Sequence, residues 1–318
     1  MELSGQRIVI TGATGFIGSH VTKSLLAEGA EVFALVRPDS KNRGKLAAHP
    51  RLHLVPGSLA QIEDLVTAVG QADGFLHFAW GGVNREEIDS AVVQAANVAV
   101  SLACVQAART LGCRVFMDAG SRVEYGITAD GIMTETMTCH PVNEYGKAKL
   151  AFYQQARPWC EQWGMTYYHL RFFSVYGTGD HPWSIISTLV RDLPQGKTVS
   201  LSACRHCWNF MDISDAARAV LLLYQHGDAG TAKGKSHIVN IASRDTRVLR
   251  DYVEEVWALC GRQGRLEFGT FVQAGEGALS VCPAVGRLLE LTAGTYRDQV
   301  SFAEGINRML AAKEENQR

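Results

Sequence analysis

The stretch Ile8-Val9-Ile10-Thr11-Gly12-Ala13-Thr14-Gly15-Phe16-Ile17-Gly18 joins a β-branched run to glycines at G-x-x-G-x-x-G spacing. The β-branched run predicts a short buried strand at residues 7–10. Residues 16–28 predict an amphipathic helix, stopped by Gly29. Between them, Gly12 permits a tight turn, Gly15 lets a pyrophosphate approach the backbone, and Gly18 lets helix pack on strand. The helix N-terminus at Phe16 and Ile17 offers N–H groups and a partial positive charge to an anion. A glycine triplet by itself marks many strand–helix turns. Its place between this strand and this helix reads as a dinucleotide phosphate site.

Strand and helix continue to alternate. Further strands are predicted at residues 31–36, 52–56, 74–79, 114–119 and 166–171, and helices at 60–69, 92–111 and 145–163. This order implies an α/β fold with a doubly wound parallel sheet and right-handed crossovers, whose ligands bind beyond the carboxyl ends of the strands. Past Arg171, segments rich in Gly, Pro and Trp separate helices expected at 185–191, 215–225, 249–259 and 302–312 from a strand at 236–241. The expected organisation is a Rossmann dinucleotide-binding domain over residues 1–171. A smaller substrate-binding region over 172–318 is interleaved with it by returns to the sheet at about 205–242. The charged tail 313–318 is expected to be disordered.

The chain has 318 residues, 47% hydrophobic and 20% charged, enough for one large α/β unit. A net charge of −1 provides no global field for nucleic acid or an anionic membrane. Residues 1–7 are polar, and charged residues or glycines are read as interrupting every long apolar run, so a soluble cytoplasmic protein is expected. Eight cysteines are scattered and read as reduced thiols. Cys204-Arg205-His206-Cys207 contains the one close pair; without a second ligand pair, no metal is expected.

Tyr145 and Lys149 lie four residues apart, on one face of a predicted helix. An ammonium beside a phenol favours the phenolate, lowering a pKa that is about 10 in model peptides. Ser121 closes the apolar strand Val115-Phe116-Met117-Asp118-Ala119-Gly120, where the active edge of the sheet is expected.

With these residues in place, the chain resembles the extended short-chain dehydrogenases/reductases of the nucleotide-sugar type over nearly its whole length. The segments carrying the likeness are Thr11–Gly18, His77-Phe78-Ala79-Trp80, Ser121-Arg122-Val123-Glu124-Tyr125-Gly126 and Tyr145–Lys149, followed by Arg171–Gly177 and Trp208–Asp215. The resemblance implies a catalytic group of Ser121, Tyr145 and Lys149. Tyr145 would exchange a proton with the sugar oxygen, Ser121 would hydrogen-bond that oxygen, and Lys149 would hold the nicotinamide ribose. It implies a coenzyme site of Gly12, Gly15, Phe16, Ile17, Gly18, Arg37, Ser58, Leu59 and Ala79, with Tyr145 and Lys149. It implies substrate contacts at Trp80, Arg122, Ser174, Arg205 and Trp208.

Departures from the family pattern narrow the reaction. Dehydratases resembling dTDP-glucose 4,6-dehydratase carry Asp-Glu after the Ser/Thr position; here Arg122 and Val123 stand there, and Glu124, one position late, should point elsewhere. Arg37 ends the second strand where an NAD site usually has a carboxylate, which favours NADP(H), with NAD(H) still open if Asp39 curls back to the ribose. Ser58 replaces the Asp often found before Leu59, Ser174 replaces an Asn, and Trp208 replaces an Arg, with Arg205 three residues earlier. Leu35–Pro38, His77–Trp80 and Trp208–Phe210 resemble CDP-abequose synthase-type 4-ketoreductases more than UDP-galactose 4-epimerase. NADPH-dependent reduction of a nucleotide-linked 4-keto-(6-deoxy) sugar is therefore the leading expectation. A 4-epimerase is the alternative, a non-catalytic NADP-binding regulator or a reductase of free carbonyl compounds a lesser one. Residues 91–108 are apolar nearly all round, and Leu150, Ala151, Tyr153, Ala156 and Trp159 offer a matching stripe. In this family such helices form a four-helix interface, so a C2 homodimer is expected.

Overall fold

The computed structural model describes residues 3–84, 86–127, 131–228, 234–271 and 280–315. The opening β-branched run forms β1 (Arg7–Thr11), with β2 (Glu31–Val36) and β3 (Leu52–Pro56) on one side. On its other side lie β4 (Gly74–His77) and β5 (Val115–Ser121). The two-residue β6 (Ile132–Met133) leaves this sheet; β7 (Thr166–Phe172) pairs with β5. Outside it again are β8 (Ser174–Tyr176), β9 (Thr198–Leu201) and β10 (Cys207–Asp212), before β11 (Ser236–Ile241) returns to its edge. The result is a seven-stranded parallel sheet of order β11-β7-β5-β4-β1-β2-β3.

Helices cover both faces, which is why β7 is buried at every position. Ile8 and Ile10 face a core closed by α1 (Phe16–Ala27), while Val9 faces the opposite core, closed by α2 (Ile62–Val69), α3 (Ala91–Thr110) and α4 (Glu144–Gln162). The first core also takes the inner face of α6 (Ile213–Asp228), and a third core lies between α5 (Ile185–Asp192), α7 (Leu249–Leu259) and the C-terminal segment, with Phe210, Tyr252 and Phe302 at its centre.

Three expectations need correction. The stretch beyond Arg171 holds more strand than its composition suggests: β8, β10 and β12 (Thr246–Val248) form a three-stranded sheet, β13 (Arg265–Phe268) pairs with β9, and β14 (Cys282–Pro283) with β6. After α8 (Gly286–Leu291), the last helix α9 (Phe302–Glu315) runs into the charged tail. Lys313 donates to the carbonyls of Val190 at 3.3 Å and Arg191 at 2.7 Å, which docks it on α5; residues 316–318 lie outside the described residues. Finally, α3 is long and apolar enough by composition to cross a membrane, with mean hydropathy 1.6, contrary to the reading that every apolar run is interrupted. Its polar residues Gln94, Asn97 and Ser101 are buried and bonded to the loop after β4 and to His77, so the helix packs its polar side on the sheet.

Candidate active site

The glycine turn shows why each glycine stands where it does. Gly12 has φ +74°, and a Cβ there would sit 2.5 Å from the Ala79 nitrogen and the Phe78 carbonyl carbon. Gly18 presses on the Gly12 carbonyl, so a Cβ would collide with it. Gly15 is different. It is the extended N-cap residue of α1, its N–H bonds the Gly12 carbonyl at 2.9 Å, and a Cβ there would meet only that oxygen, at 3.1 Å. The turn is tight beneath and open above Gly15, with half-buried Phe16 and Ile17 starting the helix, and this cradle fits the diphosphate of a dinucleotide.

The loop after β4 is locked over the turn. Phe78 N donates to Thr11 O at 3.0 Å, Gly81 and the Asn97 amide exchange bonds of 3.0 and 2.9 Å, and Gln94 donates to Gly82 O at 2.9 Å. Buried His77 bridges Thr11 Oγ1 at 2.7 Å and Ser101 Oγ at 2.8 Å; burial, aided by Lys149, pushes its pKa down to about 3, so it stays neutral. These contacts hold Ala79 against Gly12.

At the outer strands, Val36 pairs with Pro56, which brings Arg37 beside Gly57 and half-buried Ser58. Arg37 is exposed and has no ion pair among the described residues. Ser40 N bonds its carbonyl at 3.0 Å, and Ser40 Oγ reaches Thr14 of the glycine loop at 3.5 Å. Ser58 caps a single turn and Leu59 packs on the sheet core.

Ser121 ends β5 and caps the next turn: its N–H donates to Glu124 Oε1 at 2.6 Å, and its hydroxyl accepts from Val123 N at 3.4 Å. Asn143 caps α4 by accepting from Gly146 N at 2.8 Å, which presents Tyr145 and Lys149 to the same edge. Burial, and then the Glu124 carboxylate, push the Tyr145 phenol above its ordinary range, while the nearby Ser121 hydroxyl opposes them. The sequence leads one to expect Lys149 to lower it. Instead the Lys149 ammonium donates to Ala119 O at 2.6 Å and lies 3.5 Å over the Trp80 ring, 5.6 Å from the Tyr145 ring centre. Burial brings Lys149 down to about 8, against the pull of Asp118 and Glu124.

Of the five residues expected to touch substrate, three meet. The Arg122 guanidinium stacks 4.7 Å over the Trp208 ring, whose indole N–H donates to Ser174 Oγ at 2.9 Å. Arg205 is exposed on the turn before β10. Trp80 stands apart from them, against Lys149 and Tyr145, with its N–H on Gln94 Oε1 at 2.9 Å. Sequence reading also misses a buried polar row under Ser121, formed by Asp118, Glu124, His169 and Arg171. Its signal was there: charged or ring-nitrogen side chains inside strands that are otherwise apolar.

The fold and this edge define a dinucleotide-binding α/β protein with a serine–tyrosine–lysine group. A family model described as the NAD dependent epimerase/dehydratase family matches residues 8–242, and the chain belongs to that family. The chain is 28% identical to the dTDP-6-deoxy-L-talose 4-dehydrogenase (NAD(P)(+)) of Kitasatospora kifunensis, over 78% of this chain and 77% of the relative. It is 24% identical to a UDP-glucose 4-epimerase of Corynebacterium glutamicum, over 78% of each. The structure of a UDP-glucuronic acid 4-epimerase from Bacillus cereus, in complex with NAD and a UDP-4-deoxy-4-fluoro-glucuronic acid, superposes with a TM-score of 0.84 at 20% identity, covering 98% of this chain and all of that one.

Proposed function

We propose that this protein is an NAD(P)-dependent oxidoreductase acting on a nucleotide sugar, and that it reduces a nucleoside-diphosphate 4-keto-(6-deoxy)hexose at C4 with NADPH. The observation carrying the reading is the convergence of Ser121, Tyr145 and Lys149 at the sheet edge that also holds the glycine cradle. When bound, the coenzyme supplies the hydride. Tyr145, whose phenol is held protonated by its surroundings, donates its proton to the O4 that gains negative charge, and Ser121 hydrogen-bonds the same oxygen. Lys149 is placed to trade its Ala119 bond for the coenzyme ribose. Arg122, Trp208 and Ser174 offer a stacked wall for the substrate.

Arg37 favours NADP(H), because an exposed guanidinium without a carboxylate partner suits a 2′-phosphate. The relative named as an NAD(P)(+)-linked 4-dehydrogenase supports C4 redox chemistry. The relatives named as 4-epimerases support the second reading, inversion at C4 without net coenzyme turnover. A panel of 4-keto nucleotide sugars assayed with NADPH and NADH separates the two. Reduction predicts stoichiometric coenzyme oxidation, and inversion of a 4-hydroxy sugar nucleotide without oxidation would refute it. Arg37→Asp is expected to weaken NADPH binding about tenfold or more, with NADH little changed, by fluorescence titration.

We also infer a C2 homodimer through α3 and α4. Val92 is 81% exposed, and Ala95, Ala96 and Ala99 continue an exposed small-residue face beside it. Light scattering should give twice the chain mass at micromolar concentration. Ala96→Arg should give the monomer.

A further inference from the structure

Beneath the catalytic serine lies a row of buried ionisable groups that the proposed chemistry does not use. Glu124 Oε1 accepts the Ser121 N–H at 2.6 Å. Its other oxygen meets His169 Nε2 at 2.8 Å and Arg171 Nε at 3.0 Å. On its far side, His169 Nδ1 meets Asp118 Oδ1 at 2.9 Å, and Tyr167 donates to that same oxygen at 2.8 Å. Asp118, Glu124, His169 and Arg171 are each no more than 1% exposed. The row leaves no slack: a Cβ on Gly120 would sit 2.6 Å from His169 Nε2 and 2.9 Å from Glu124 Oε1.

We propose that His169 is a positioning residue of this active site. Clamped as a cation between Asp118 and Glu124, it fixes the carboxylate that holds the Ser121 backbone, and thereby aims the Ser121 hydroxyl at the Tyr145 phenol. The proposal rests on Ser121 being part of the reacting group.

The physical reason is geometric. Glu124 sits on a single turn of chain, and a carboxylate with one partner would swing about its last two torsions. His169 and Arg171, both on the fully buried strand β7, bind one oxygen from two directions and leave the other facing Ser121 N. A ring proton is needed on both sides, since each nitrogen faces a carboxylate. The groups around His169 agree with that charge. Asp118 comes from β5, Glu124 from the turn after it, and Tyr167 and Arg171 from β7 itself. From α4 come Tyr153, its ring 4.8 Å away, and Lys149 and Tyr145, which feel the same two carboxylates. β11 contributes only Ile238 at this register. Burial would lower the imidazole pKa; the two carboxylates raise it to about 9 instead.

The test uses the full-length protein. In ¹⁵N-histidine spectra, the resonance lost in His169→Gln should show both ring nitrogens protonated up to about pH 9. In the same variant, the Ser121 amide should exchange with solvent about tenfold faster than in wild type. With NADPH and a 4-keto-6-deoxy nucleoside-diphosphate sugar, kcat should fall about 30-fold while the KM for NADPH stays within about threefold. A buried carboxylate left unpaired can unfold a protein. The double variant Asp118→Asn/His169→Gln, which removes opposite charges together, therefore serves as the folded control and should show the same fast Ser121 exchange and low kcat. A His169 that titrates near 6.5, the ordinary value of an imidazole, would overturn the proposal. So would a folded variant whose Ser121 exchange is unchanged, even with a lowered Tm, because filling the core would then be its whole role. The spectroscopic and exchange arms need no substrate, so they decide the matter even if the sugar-reduction reading fails.

Discussion

Tyr145→Phe is expected to lower kcat for reduction by about a thousandfold, with NADPH affinity unchanged within about threefold. The phenylalanine fills the same volume against Trp80, whose ring meets Tyr145 edge-on at 6.1 Å, so the helix N-terminus should fold as before. What disappears is the phenol beside Ser121 that would give up its proton. Ser121→Ala should cost less, since it removes a hydrogen bond and leaves the acid. If Tyr145→Phe retains more than about a tenth of wild-type kcat, another group carries the proton and the assignment fails. Stopped-flow measurement of NADPH oxidation is the suitable check, because product release does not mask the chemical step there.

The same site has a pH signature. Lys149 is held at about 8 by burial, so its ammonium is lost as pH rises through that value, and kcat/KM should fall above it. The stability effect runs the other way. Lys149 carries a proton in the unfolded chain up to the ordinary lysine value of 10.5 but only to about 8 in the folded one. Between those values the unfolded chain binds more protons, so this group makes the fold more stable as pH rises. A rate that falls while Tm holds or rises across this window would separate loss of the Lys149 charge from unfolding.

How much of this was legible follows from where the signals come from. All seven sheet strands were readable because each is an apolar run bounded by turn residues and spaced by helices. The strands β8, β10 and β12 were not, since pairing between distant segments, such as Trp208 with Arg247, creates them rather than local pattern. In the site, spacing alone put Tyr145 and Lys149 on one face and set Ser121 at a strand end. It could not show that Lys149 turns away to Ala119 O, because that depends on the depth of β5 under α4. Glu124 is a sharper case. Its position argues that it points elsewhere, yet one of its oxygens holds the Ser121 N–H, and the other meets His169 and Arg171, 45 and 47 residues away in sequence. No local rule finds a partner at that separation.

The glycine triplet yields the other large effect, because its members have unequal surroundings. Gly12→Ala forces a side chain onto φ +74° and into backbone atoms of Phe78 and Ala79 at 2.5 Å, atoms fixed by the β4 loop and unable to retreat. Positive φ alone costs about 1 kcal/mol or more for a residue with a Cβ. The collision adds to it, so a loss of about 3 kcal/mol or more and a markedly lower Tm are expected even without coenzyme. Gly18→Ala should behave alike, since its Cβ runs into the Gly12 carbonyl. Gly15→Ala should not. Its φ of −76° suits any residue, and the one neighbour is a carbonyl oxygen at 3.1 Å, so coenzyme-free Tm should stay within about 2 °C of wild type. The added methyl instead occupies the space where the diphosphate would meet the backbone, and NADPH binding should weaken about a hundredfold. Differential scanning fluorimetry with and without NADPH reads both halves. A Gly15→Ala protein that melts early, or that binds coenzyme as tightly as wild type, would mean the open face above Gly15 is not where the dinucleotide lies.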